Sequence, residues 1–204
     1  MELDYESLFS YRNLYLSYLK ARSGKRWSDE VISYSLNLEA NLHSLEKRRK
    51  RRDYPFDGYY SFSIHEPKER QIQAIHFQDR ILQHCLCDFY LIPLLERHLI
   101  YDNAATRLGK GTDFARNRRK YFRNRFYLQN CSNRGYAFKF DIHHYFPSIS
   151  HSCRKEKRKR IVTDYDILRY IFFLIDTYHE EEKEDTWLPI GNQLSQCCGL
   201  LYLD

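Results

Sequence analysis

Apolar residues recur at helical spacing over residues 4–21, where Leu8, Tyr11, Leu14, Tyr15, Tyr18 and Leu19 fall on one face and Ser23-Gly24 closes the helix. Ser28 is placed to cap a second helix whose apolar face is Val31, Tyr34, Leu38, Leu42 and Leu45. That helix runs into six consecutive cations, Lys47 to Arg52, which read equally well as a solvated helix end or a phosphate-contacting patch. The pattern then changes from helical to alternating. Residues 58–64 and 70–76 read as two strands joined by a polar turn that contains Pro67, so a β-hairpin is predicted. Residues 78–100 return to helical spacing, with a kink expected at Pro93.

A loop over 102–112 holds Gly109-Lys110-Gly111, and residues 113–127 form a strongly basic helix with aromatics between the cations. After a turn at Asn133-Arg134-Gly135, residues 136–142 alternate as a strand: Tyr136, Phe138, Phe140 and Ile142 face one way, Ala137, Lys139 and Asp141 the other. A basic segment (154–160), an amphipathic helix (164–179), an acidic loop (180–185) and an apolar tail reaching Asp204 complete the chain. The predicted class is α+β, with helices first, a hairpin next and one strand near the middle.

Composition narrows the partners. The 204 residues are 43% hydrophobic and 16% aromatic, enough to build a core, and carry a formal net charge of +6, which favours polyanionic partners over acidic ones. No apolar run approaches the roughly 20 residues needed to cross a bilayer. The N-terminus is acidic and lacks a signal-peptide core, so a cytosolic location with no membrane contact is expected. The six cysteines show no CxxC pairing and are read as reduced core thiols.

Candidate chemistry gathers in three places. Asp141 ends an apolar strand, and a carboxylate there can bind Mg²⁺ (or Mn²⁺) while the Ile142 carbonyl adds a second oxygen. The ring of Phe146 would lie over a nucleotide sugar and exclude a 2′-hydroxyl. Lys68 and Arg70 flank the hairpin turn, where two cations can clamp a triphosphate. Gly191, in Leu188-Pro-Ile-Gly-Asn-Gln-Leu-Ser-Gln196, lets backbone approach a base pair or phosphate closely.

In this order the segments resemble a reverse transcriptase. Glu66-Pro-Lys-Glu-Arg70 with Asp79-Arg80 is similar to the fingers motif of the bacterial enzymes, and Gly109-Lys-Gly-Thr112 to their next block. Lys139-Phe-Asp-Ile-His-His-Tyr-Phe-Pro-Ser-Ile149 resembles the first catalytic palm motif, and residues 188–196 the motif after it. Ile190 stands where many reverse transcriptases have Gln. That version resembles the enzymes of diversity-generating retroelements and related retron-type proteins.

The resemblance implies a right-hand polymerase: an N-terminal helical segment (1–54), fingers (55–135) and a partial palm (136–204). It implies RNA template, DNA or RNA primer and dNTP as partners, with room for an accessory protein. Asp141 would be the catalytic metal ligand. Lys68, Arg70, Phe146, Ile190 and Gly191 would border the dNTP, and Lys110, Arg116, Arg119 and Arg123 would contact phosphates. The chain departs from the family in lacking the aromatic-x-Asp-Asp turn and the thumb, so these residues are expected to be inactive alone.

Three other readings compete. Basic segments interleaved with Tyr and Phe suit single-strand nucleic-acid binding without catalysis. A metal or hydrolase site from His143, His144 and His151 is disfavoured, because adjacent histidines on a strand point to opposite faces. A folding-incompetent fragment, its tail 197–203 left without a sheet to cover, is the third possibility weighed.

Overall fold

In the computed structural model, which describes residues 3–54, 56–65, 69–143, 145–148, 161–177 and 191–203, the first predicted helix is broken in two. Helix α1 (Tyr5–Leu8) is capped by Asp4, whose carboxylate accepts the Ser7 N–H at 2.8 Å. Helix α2 (Tyr11–Ala21) starts afresh at Ser10. The break turns Phe9 into the core, edge-on to Tyr170 at 5.4 Å. Asn13 makes the break tolerable: its amide donates to the carbonyls of Ser7 and Leu8 at the broken end, groups that a continuous helix would have satisfied itself.

The second predicted helix divides likewise at Asn37, into α3 (Asp29–Leu36) and α4 (Leu38–Lys50). Asn41 donates to the Tyr34 carbonyl at 2.9 Å across that junction. In both places an asparagine competes with the helix for backbone groups and wins.

The hairpin forms one residue from where alternation puts it. Strands β1 (Tyr59–His65) and β2 (Glu69–Ile75) pair antiparallel from Tyr59 opposite Ile75 to His65 opposite Glu69. Its base is anchored, with Ala74 and Ile75 buried and the Tyr59 hydroxyl 3.2 Å from Thr177 Oγ1.

Helix α5 (Phe77–Leu86) continues as a π-turn (Cys87–Leu91) and then as α6 (Ile92–Glu96). The kink expected at Pro93 is this π-turn. Pro93 lacks an N–H for the turn before it, and its ring would press on a carbonyl four residues back. A wider turn just upstream relieves both.

Helix α7 (Thr112–Asn130) has no buried residue and ends at Cys131 in a left-handed conformation (φ 45°). Short α8 (Tyr145–Ser148) follows. Helix α9 (Tyr165–Asp176) is capped by Asp164, which accepts the Ile167 N–H at 2.9 Å, and α10 (Gln193–Leu203) closes the described chain.

The core lies between α2, α4, α5, the π-turn, α9 and α10, around Leu14, Leu42, Ile81, Leu86, Ile171 and Leu194. Mixed helix and antiparallel sheet agree with an α+β class. The cysteine reading holds for Cys85, Cys87, Cys197 and Cys198, which are buried and form no disulfide. Cys131 is the exception, exposed at the end of α7, and Cys153 lies outside the described residues.

The predicted strand at 136–142 is a correction. Among the described residues the sheet has two strands, β1 and β2, and residues 132–142 run without a ladder partner. Tyr136, Phe138 and Phe140 keep their alternation but are 96%, 82% and 88% exposed, so no face of this segment is covered. Alternation gives the side-chain period; a strand also needs a neighbour for its N–H and C=O groups. No helix among the described residues is long and apolar enough to cross a membrane.

Candidate functional site

The hairpin, α5 and the start of α10 meet in one place, although 119 residues separate Gln73 from Asn192. Gly191 sits at φ +113°, and a Cβ built there would come within 3.0 Å of Ile72 Cγ2 on β2. Asn192, 4% exposed, donates to the Gln73 carbonyl at 3.3 Å. Gly191 therefore packs on the Ile72 side chain at a distance that a Cβ would crowd, and Asn192 holds the β2 backbone by an amide hydrogen bond.

Beside this junction opens a cleft of about 300 Å³, lined by Lys20, Arg80, Gln83, His84, Gly191 and Gln196 among others. Arg80 is set at its rim by donating to the Ile75 carbonyl at 3.2 Å and lying 3.4 Å from the Tyr60 hydroxyl. Gln83 is 2% exposed, yet its Nε2 has no hydrogen-bond partner among the described residues. A buried amide left unpaired costs free energy unless something docks against it. With two cations, four side-chain amides and the first turn of α10 at its wall, the cleft suits an anionic ligand that also offers acceptors.

Asp79, next to Arg80, does a different job. It is 4% exposed and accepts the Asp57 N–H at 3.1 Å. Burial pushes its carboxyl up to about 6, opposed by that hydrogen bond and by the Arg49 and His76 charges. Within the Asp79-Arg80 pair the first residue is core and the second faces the cleft.

Helix α7 forms a second surface. Arg119, Lys120, Arg123 and Arg125 are exposed, as are Tyr121, Phe122, Phe126 and Tyr127. Arg116 pairs with Asp113 at 3.0 Å. Arg118 pairs with Asp102 and lies over the rings of Tyr101, Tyr121 and Phe122, the last at 4.8 Å. Lys110 donates to the Tyr101 carbonyl and sits 4.3 Å from that ring's centre and 4.7 Å from that of Phe114.

The basic run 47–52 is largely engaged. Arg49 is buried, Arg52 pairs with Asp166 at 2.6 Å, Lys50 with Glu46 at 3.1 Å and Arg48 with Asp53 at 3.2 Å. Arg49 and Arg52 reach α9, through Tyr170 and Asp166, while Arg48 and Lys50 pair locally on the surface.

Of the residues singled out from sequence, Gly191 lies at the junction. Arg70 has its backbone in β2 opposite Ile64, and Phe146 falls in α8; neither side chain is among the described ones. Lys68, Ile190, His144 and His151 lie outside the described residues. Asp141 is exposed on the unpaired segment, and Ile142 beside it is 49% exposed.

Among the described residues no group of three or more His, Cys, Asp or Glu side chains could hold a metal ion. Asp164 caps α9 and Asp166 pairs with Arg52, so neither is available to join Asp141. Among the described residues Asp141 therefore stands alone, whereas a catalytic divalent cation needs several oxygen ligands. Sequence reasoning missed Gln83 and Asn192. The Arg80-x-x-Gln83 spacing, which puts both on one helix face, was the available signal for Gln83. No protein-family model matches the chain, and no curated protein is a match for it.

Proposed function

We propose that the chain carries the nucleotide- and template-binding part of an RNA-directed DNA polymerase, fingers and incomplete palm together. What supports the reading is the docking of Gly191-Asn192 on β2. Described parts of two sequence blocks that resemble a reverse transcriptase, Arg80 of the first and Gly191, Asn192, Gln193 and Gln196 of the second, line one cleft. RNA template, primer and dNTP are the partners, and dNTP addition to a primer 3′-hydroxyl is the reaction of the complete enzyme. No step of that reaction is assigned to the described residues.

The test is fluorescence anisotropy of a labelled primer–template, with and without the complementary dNTP and Mg²⁺. On the polymerase reading the complementary dNTP tightens the complex by about tenfold, roughly 1.4 kcal/mol, and Asp141→Asn removes that gain while leaving binary binding intact. If the dNTP changes nothing, the polymerase reading fails.

A second reading, single-strand binding without catalysis, is favoured by the exposed cations and rings of α7. Both readings give Arg123 a phosphate contact. Arg123→Gln is expected to weaken binding several-fold across sequences and to lower the slope of log K against log salt by about 1. An unchanged slope would remove Arg123 from the interface.

A further inference from the structure

Among the described residues, Asp88 touches all three helices around the cleft. Its Oδ1 accepts from Lys20 Nζ of α2 at 2.6 Å and from Gln193 Nε2 of α10 at 2.7 Å, and its Oδ2 lies 3.5 Å from His84 Nδ1 of α5. Lys20 and Gln193 also line the 300 Å³ cleft. On the other side, Lys20, Asp88 and Gln193 line a larger groove of about 690 Å³ with Leu16, Phe89 and Leu108. The Asp88 cluster is thus a wall between two cavities.

The backbone explains how one carboxylate reaches so far. Asp88 belongs to the π-turn, a rare conformation that concentrates where function demands an unusual side-chain direction. Its neighbours Cys87 and Leu91 are fully buried, and the Cys87 thiol meets Cys197 and Cys198 of α10. Gln193 and Cys197 are four residues apart, one helical turn, so the π-turn grips the same face of α10 twice: by thiol packing deep down and by a charged hydrogen bond at its first residue. Burial pushes the Asp88 carboxyl up, but the nearby His84 ring and the hydrogen bonds from Lys20 and Gln193 outweigh it and hold the group below its ordinary value, charged at neutral pH. The Lys20 ammonium is 55% exposed, and such a pair alone contributes little. The bond to Gln193 is the one with a consequence, because Gly191 and Asn192 precede it directly.

We propose that Asp88 is a positioning residue, which fixes Gln193 and thereby holds the Gly191-Asn192 turn against β2. Its effect on ligand binding rests on the polymerase reading; its effect on the turn does not.

Amide hydrogen exchange read peptide by peptide on the full chain tests it. Asp88→Ala and Gln193→Ala are both expected to speed exchange over residues 191–196 by about tenfold while leaving α2 and α5 near wild type. Asp88→Asn, which keeps an acceptor for Gln193, is expected to restore most of the protection. Equal loosening of α2, α5 and residues 191–196 in Asp88→Ala would mean a merely structural role and overturn the proposal. So would unchanged exchange over 191–196. If Asp88→Ala fails to fold, Gln193→Ala decides alone, since it leaves the carboxylate with Lys20 and His84.

Primer–template titrations of the same variants separate the two ideas. Weaker binding at an unchanged salt slope is expected, because no phosphate contact is removed. Faster exchange with unaltered binding keeps the positioning role and counts against the polymerase reading.

Discussion

Replacing Arg49 with methionine is expected to lower the unfolding free energy at pH 7 by about 3 kcal/mol, the scale of desolvated cation–π contacts to two rings. Arg49 is 1% exposed. Its guanidinium lies 5.4 Å from the ring centre of Tyr54 and 5.0 Å from that of Tyr170, and none of its nitrogens has a hydrogen-bond partner among the described residues. Two aromatic faces and the nearby Asp79 carboxylate offset the loss of water.

Methionine keeps much of the stem's packing but removes the charge, leaving Asp79 buried with less to oppose its desolvation. The Asp79 carboxyl, already pushed up to about 6, then rises further. A carboxyl raised on folding contributes stability that is full below its unfolded value near 3.9 and lost as pH rises through its folded value. In the wild type that loss amounts to roughly 3 kcal/mol between pH 4 and pH 7.

The defect of Arg49→Met should therefore be larger at pH 7 than at pH 5, where Asp79 takes up its proton. Urea unfolding at the two pH values measures it. Adding Asp79→Asn should remove the pH-dependent part of the loss, because it takes away the carboxylate whose desolvation Arg49 opposes. Equal stability of Arg49→Met and wild type at pH 7 would show that the guanidinium does not stabilise the fold.

Arg49 also marks where sequence reading stops. It sits in a run of six cations, and nothing in that run distinguishes it from Arg48 or Lys50; only the geometry of α4 turns one of them inward between tyrosines. The hairpin was legible to within one residue, because alternation is a local property of β1 and β2. The helix breaks at Ser10 and Asn37 were hidden, since Asn13 and Asn41 take over backbone carbonyls there without interrupting the apolar periodicity.

The segment 136–142 shows the opposite failure. Its alternation is regular, but pairing is a property of two segments and none of the described residues provides the second. Around the cleft, Gly191 was legible as a glycine required by close approach. Asp88 was not: an acid within an otherwise helical pattern gains its three partners only through a π-turn that the spacing does not reveal.

Gly191→Ala is expected to cost about 2–3 kcal/mol and to loosen the hairpin, the second-largest effect expected here. Two penalties combine. At φ +113° an L side chain is strained whatever the space around it, and its Cβ would stand 3.0 Å from Ile72 Cγ2, so β2 must give way. Gly109→Ala separates them. Gly109 also has a positive φ, +72°, but a Cβ there meets nothing within 4 Å, so that variant carries the backbone penalty alone, about 1 kcal/mol.

The difference between the two variants in chemical denaturation measures the contact with Ile72 together with the less favourable φ of Gly191. If β2 moves away, the Asn192 bond to the Gln73 carbonyl lengthens with it, and exchange should quicken in 69–75 as well as 191–196 for Gly191→Ala but in neither segment for Gly109→Ala. Because the cleft wall is made of these same residues, Gly191→Ala should also weaken primer–template binding with its salt slope intact. Identical costs for the two glycines would leave the junction without the steric lock that brings the hairpin and α10 to one cleft.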